Sequence, residues 1–205
     1  MAIGLSEKSS IATPEFQIQM TQDPNQPPLT TLPRAAGEVV NALSFDIEDW
    51  FHLVDIKAVS DTEQWGSFPS IVERRTEEIL DICAQHGATA TFYFLGWIAE
   101  RYPGLVRRVV EAGHEIGTHS YWHRKVCDLD EATFREDLLR SIKVIENAGG
   151  AEVTSFRAPS FSITPGTEWA FDILMDAGLR YDASLFPVPR ENGGYPCPEV
   201  PHLFT

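Results

Sequence analysis

Three cysteines, Cys83, Cys127 and Cys197, are all that the 205 residues contain, and no two form a C-x-x-C pair. An odd, widely spaced set excludes a disulfide framework and a thiolate zinc knot, and fits a reducing compartment. Positive charge is also scarce: sixteen Lys and Arg stand against thirty Asp and Glu, a formal charge of −14. Such a chain repels the phosphate backbone that dominates nucleic-acid affinity, which excludes nucleic acid and anionic membranes as partners. No window approaches the roughly 18 apolar residues of a membrane span. The start, "MAIGLSEKSSIATPEFQIQM", lacks a basic segment followed by an apolar one, so a soluble, cytoplasmic protein without an export signal is expected.

What is present is enough apolar content, 43%, for one sizeable core and too short a chain for two comfortable domains. Residues 1–37, rich in Pro, Gln and Thr, show no periodicity and read as a flexible extension. Residues 38–205 read as one domain in which strands and helices alternate. "EVVNALSF" is a strand, and Ser70 with Glu73 makes a capping box for a helix that stops at Gly87. "ATATFYFLG" is a second strand, and Pro103 opens a helix ended by Gly113. "HEIGTH" follows, then a long helix "EATFREDLLRSIKVIEN" ended by Gly149 and Gly150. "VTSFRA", a helix over "GTEWAFDILMDA" and "LRYDASL" complete the pattern. This alternation predicts an α/β fold with a parallel sheet, either open or closed as a barrel.

The polar residues gather at one edge. Asp46, Glu48 and Asp49 of "SFDIEDWFH" fall at the end of the first strand, where crowded carboxylates among Phe45, Ile47, Trp50 and Phe51 need a compensating cation or arginine. His119 and His123 of "HSYWH" follow the third strand and Arg157 ends the fourth. In α/β sheets that edge carries ligands and chemistry. Two imidazoles four apart can reach one ion if the segment turns helically, and with a carboxylate they suit zinc or a neighbouring first-row metal. Two His and one carboxylate leave positions open for water and substrate, as a catalytic site requires. Trp122, between the histidines, is a candidate to stack on sugar C–H groups. His86 and His114 read as structural, and His52 as a loop residue within reach of the ion.

"SFDIEDWFH", "GHEIGTHSYWH" and "SFRAPSF" together resemble the first three motifs of the polysaccharide deacetylase family, carbohydrate esterase family four. The D-I-E-D-W-F-H form is similar to the branch associated with bacterial exopolysaccharide gene clusters. The resemblance covers roughly residues 40 to 190. It implies a distorted (β/α) barrel that hydrolyses N-acetyl groups of poly- or oligosaccharide amino sugars with one divalent metal, zinc first, with cobalt, nickel or manganese as alternatives. Carried over by position, Asp46 is the general base, Glu48 the metal carboxylate with Asp49 the competing choice, His119 and His123 the metal imidazoles, and Arg157 the arginine that orients the base. Ser160 stands where the family has an aromatic residue, and a backbone N–H there can still serve the oxyanion. The family's later motifs, with a histidine general acid, have no counterpart: His202 sits in "VPHLFT". A complete barrel runs to about 250 residues, so the chain is expected to be C-terminally truncated and the barrel incomplete. The alternative is a catalytically impaired metal- or glycan-binding module of the same fold.

Overall fold

The computed structural model describes residues 30–31, 42–54, 56–188, 190–191, 193–198 and 202–203. In chain order the strands are β1 (Thr30–Thr31), β2 (Ser44–Ile47), β3 (Thr91–Phe94), β4 (Glu115–Thr118), β5 (Ser155–Phe156), β6 (Tyr181–Asp182) and β7 (His202–Leu203). β1 pairs antiparallel with β7, while β2 to β6 form one parallel sheet in unbroken chain order. Apart from Thr30–Thr31, the expected extension over residues 1–37 lies outside the described residues. The first strand of the sheet lies further along the chain than "EVVNALSF" suggests, so Asp46 is a strand residue and only Glu48 and Asp49 follow it.

A sheet wound in one direction is the wall of a barrel, and one side chain shows how far it curls. Arg157, just past β5, donates to Asp46 Oδ1 at 2.8 Å and to Ser44 Oγ at 2.7 Å, both in β2. Adjacent strands lie about 4.8 Å apart, so β2 and β5, three strands apart, could not share one guanidinium across a flat sheet. The alternation of side chains divides the two faces. Ile47, Phe92, Phe94, Ile116 and Phe156 join the core with the helices. Tyr93, Gly117 and Ser155 meet on the concave side, where a Cβ on Gly117 would lie 2.5 Å from Ser155 Oγ and 2.6 Å from the Tyr93 ring. The parallel five-stranded sheet agrees with the expected α/β class and incomplete barrel.

The helices are α1 (Val72–His86), α2 (Gly96–Arg101), α3 (Pro103–Glu111), α4 (Glu131–Gly149) and α5 (Trp169–Asp176). α1 ends at left-handed Gly87, but the capping box expected of Ser70 and Glu73 does not form. Asp49 supplies the acceptor instead, taking the Ile71 N–H at 3.0 Å and the Ser70 hydroxyl at 2.5 Å. α2 is a helix the sequence reading passed over. It is separated from α3 because a residue before proline is pushed out of the helical region, and Tyr102 sits at φ −125°, ψ 58°. Asp130 caps α4 by accepting from Thr133 N–H at 2.8 Å. Among the described residues, no helix is long and apolar enough to cross a membrane.

Because Tyr93 packs where a Gly117 side chain would stand, Gly117→Ala is expected to cost about 1–3 kcal/mol. Differential scanning calorimetry should show this as a melting temperature lower by several degrees, and an unchanged value would mean the concave wall is loosely packed.

Candidate active site

"HSYWH" does not turn helically. It leaves β4 as a bend in which Ser120 and His123 are left-handed, with φ of 66° and 55°. Non-glycine residues hold such angles only where their surroundings over-determine them. Here the surroundings are specific. The buried carboxylate of Asp137, from the inner face of α4, accepts the Tyr121 N–H at 2.6 Å and the Trp122 N–H at 3.1 Å. The Ser120 carbonyl accepts from Gly96 N–H at 2.9 Å and from the Ser141 hydroxyl at 3.0 Å. Gly96, the first residue of α2, has no room for a side chain: a Cβ would strike the Tyr121 ring and meet Ser141 at 3.0 Å. Beyond the loop, Tyr121 donates its hydroxyl proton to Glu100 and accepts from Arg140 at 2.7 Å, with the Arg140 guanidinium 3.7 Å over its ring.

The bend brings His119 and His123 together and against Glu48. Nε2 of one imidazole lies 3.2 Å from Nε2 of the other, and His123 Nε2 lies 3.1 Å from Glu48 Oε2. Each imidazole presents its Nδ1 to a backbone carbonyl, His119 to Arg157 at 2.7 Å and His123 to His52 at 2.6 Å. A carbonyl only accepts, so Nδ1 carries the proton in both rings and both Nε2 atoms are bare. Burial keeps both imidazoles neutral, pulling His119 down and His123 to about 3, with His119 a further cause at His123. Three electron-rich atoms, within 4.8 Å of one another, thus face each other with no proton between them. Glu48 Oε2 is buried and makes no hydrogen bond. A cation would satisfy all three. A proton on Glu48 is the other relief, and its carboxyl is raised to about 7 by burial and by the Asp46 charge. Two imidazole nitrogens and one carboxylate are a donor set suited to zinc and neighbouring divalent metals.

Asp46 stands beside this cluster. Its Oδ1 is held by Arg157, and its Oδ2 lies 3.9 Å from His119 Nε2. Arg157 in turn lies over the Tyr93 ring, 4.4 Å from its centroid. Asp49 is not brought to the histidines: its carboxylate is engaged at the start of α1, and its own N–H donates to His52 Nδ1 at 2.8 Å. His52 is buried against Phe51, Trp65 and Trp97 and serves the site through its backbone carbonyl. Ser160 and Phe161 form a left-handed turn after Ala158, with φ of 55° and 53°. Trp122 is half-buried, with the Tyr121 ring 4.7 Å and the Trp65 ring 6.0 Å away. No hydrogen bond or ion pair among the described residues ties Ser160 or Trp122 to the cluster.

The residues that sequence reasoning missed are Asp137 and Ser141. Both lie on the apolar stripe of α4 with Phe134, Leu138 and Ile145, and all five are buried. A carboxylate and a hydroxyl at core positions of an amphipathic helix are the signal that could have found them.

Residues 58–181 match the polysaccharide deacetylase family. The chain belongs to that family. Among curated members, a peptidoglycan-N-acetylglucosamine deacetylase of Bacillus cereus is 33% identical over 84 residues, which are 41% of this chain and 30% of that protein. A chitooligosaccharide deacetylase of Sinorhizobium fredii is 33% identical over 108 residues, 51% of this chain and 47% of that protein. The chain therefore spans less than half the length of these relatives. A family 4 carbohydrate esterase from Streptomyces lividans, solved in complex with acetate, superposes with a TM-score of 0.52 at 27% identity, covering 68% of this chain and 59% of that one. Family membership agrees with the resemblance; the matched residues contain "GHEIGTHSYWH" and "SFRAPSF", whereas "SFDIEDWFH", with Asp46 and Glu48, precedes them.

If Asp137 sets the bend, removing it leaves two buried N–H groups unpaired at about 1–3 kcal/mol each. Asp137→Ala should therefore unfold at markedly lower urea concentration than the parent, and Asp137→Asn, which keeps one acceptor oxygen, should fall between the two. Equal midpoints for Asp137→Ala and the parent would show that the loop is held by something else.

Proposed function

We propose that the chain is the catalytic part of a metal-dependent hydrolase that removes N-acetyl groups from amino sugars of a poly- or oligosaccharide. The observation that carries this reading is the set of three bare acceptor atoms on Glu48, His119 and His123 beside an aspartate whose other oxygen is held by an arginine. Family membership narrows the chemistry to deacetylation, and the names of the Bacillus cereus and Sinorhizobium fredii relatives favour N-acetylated saccharides over other amides.

Glu48 Oε2, His119 Nε2 and His123 Nε2 would hold one divalent cation, zinc first, with cobalt, nickel or manganese as alternatives. When bound, such an ion supplies Lewis acidity, lowering the pKa of a water and polarising an acetamide oxygen. Every other element belongs to the chain. Arg157 fixes Asp46 Oδ1, leaving Oδ2 to accept the proton of the attacking water. The Arg157 carbonyl and the His52 carbonyl hold the imidazole tautomers, so both Nε2 lone pairs stay available. The Ser160 backbone N–H, in its left-handed turn, is assigned to the oxyanion of the tetrahedral intermediate. Trp122 is assigned to the saccharide.

Asp49 and Glu48 are separated by one experiment. His119→Ala, His123→Ala and Glu48→Ala should each lose stoichiometric metal by elemental analysis, while Asp49→Ala should keep its metal and lose stability through the uncapped start of α1. Metal loss in Asp49→Ala at unchanged stability would reverse the assignment. Asp46→Asn should retain metal and release acetate from an N-acetylglucosamine oligomer about 10²- to 10⁴-fold more slowly, the usual contribution of a positioned base. Wild-type turnover in that variant would remove Asp46 from the reaction.

A further inference from the structure

We infer that Asp182 and Ser184 are positioning residues for His119, fixing its imidazole and strengthening Nε2 as a donor through the peptide group that joins Arg157 to Ala158. The inference rests on the reading of His119 as a metal ligand and carries its support to β6, which the reaction does not otherwise use. Strand register makes the connection. β5 and β6 run parallel with Phe156 opposite Asp182, and the Ala183 N–H donates to the Phe156 carbonyl at 2.9 Å. Two residues further along both segments, Ser184 therefore comes level with Ala158. In a trans peptide the C=O and the N–H point opposite ways. The group between Arg157 and Ala158 thus turns its N–H towards the β6 side and its carbonyl towards the β4 side, where His119 stands.

Each link has one direction. The Ala158 N–H donates to Ser184 Oγ at 2.7 Å. The serine hydroxyl proton goes to Asp182 Oδ1, 2.5 Å away, because a carboxylate only accepts. The Ser184 N–H donates to Asp182 Oδ2 at 2.9 Å, so the carboxylate grips the serine twice. At the other end of the peptide, the Arg157 carbonyl accepts from His119 Nδ1 at 2.7 Å. Carboxylate, hydroxyl, peptide and imidazole thus form one row that ends on the Nε2 lone pair. Ser184, Ala158 and His119 are all buried, where hydrogen bonds in series polarise one another by about 10–30% each. The first bond is to an anion, which makes it roughly twice as strong as a neutral one. A hydroxyl drawn towards Asp182 is a better acceptor for the Ala158 N–H, and a peptide pulled at its N–H carries more electron density on its carbonyl. That carbonyl draws harder on the Nδ1 proton and leaves Nε2 the richer. A ligating imidazole that donates directly to a carboxylate gains basicity in the same way. His123 rests instead on the His52 carbonyl, outside this row.

The test is proton NMR of the metal-free protein carrying isotope-labelled histidine, together with zinc affinity measured by competition with a chromophoric chelator. Ser184→Ala should move the His119 Nδ1–H resonance upfield, the mark of a weaker hydrogen bond, and leave that of His123 in place. It should also weaken zinc binding about tenfold, the lower end of what losing such a partner costs. Asp182→Asn, at an exposed position, keeps an acceptor oxygen without the charge. It should move the His119 resonance less but in the same direction, and it stands in if Ser184→Ala fails to fold. A His119 resonance unmoved in both variants overturns the inference. Equal movement of both histidines also overturns it, since a merely loosened site disturbs them alike. A moved resonance at parental zinc affinity overturns the gain in donor strength. Absence of zinc binding by the parent protein overturns the metal reading, and the His119 resonance then still decides whether Asp182 and Ser184 act on this imidazole.

Discussion

Three lone pairs aimed at one point are the constraint from which the rest of the site follows. With Glu48 ionised, Nε2 of His119, Nε2 of His123 and Oε2 of Glu48 cannot hydrogen-bond one another once both imidazoles have given their Nδ1 protons to backbone carbonyls. Left empty, the arrangement repels itself in a buried setting where water does not screen it. The fold must therefore force it, and three strands contribute to doing so. β2 delivers Glu48, β4 delivers the histidine bend, and the residue after β5 provides the carbonyl that fixes the His119 tautomer. The same Arg157 that offers this carbonyl clamps Asp46 with its guanidinium. Asp46 and the Glu48, His119 and His123 cluster are thus aligned by a single residue.

The force that holds the bend comes from α4 rather than from the bend itself. Asp137 and Ser141 occupy positions where an amphipathic helix would ordinarily place apolar residues, and both direct their polar atoms into the loop. Burial raises the Asp137 carboxyl, while the Tyr121 and Trp122 N–H groups favour its ionised form. A buried carboxylate held by two backbone donors is costly to disturb, which is how two left-handed non-glycine residues, Ser120 and His123, persist in one bend.

Much of this was legible in the residues. The strand and helix alternation gave the α/β class, because Gly87, Pro103 and Gly150 carry strong local signals at helix ends. The clustering of Asp46, Glu48, His119 and His123 at one sheet edge followed from strand order alone. Long-range contacts were not legible. Ser70 and Glu73 satisfy the local rule for a capping box, yet Asp49, more than twenty residues earlier, takes the Ile71 N–H and the Ser70 hydroxyl. That contact also withdraws Asp49 from competition with Glu48, a choice spacing could not make. The histidine spacing of four suggested a helical turn, whereas the loop achieves the same convergence by positive φ angles that only tertiary contacts sustain. α2 escaped notice because its six residues are too few for periodicity to show.

The most direct measurement is anomalous diffraction from crystals grown with zinc, recorded on both sides of the zinc absorption edge. The account predicts one strong peak at about 2.0–2.2 Å from Glu48 Oε2, His119 Nε2 and His123 Nε2, with Asp46 beside it and still held by Arg157. A peak ligated by Asp49, or no peak within reach of the two imidazoles, would contradict it.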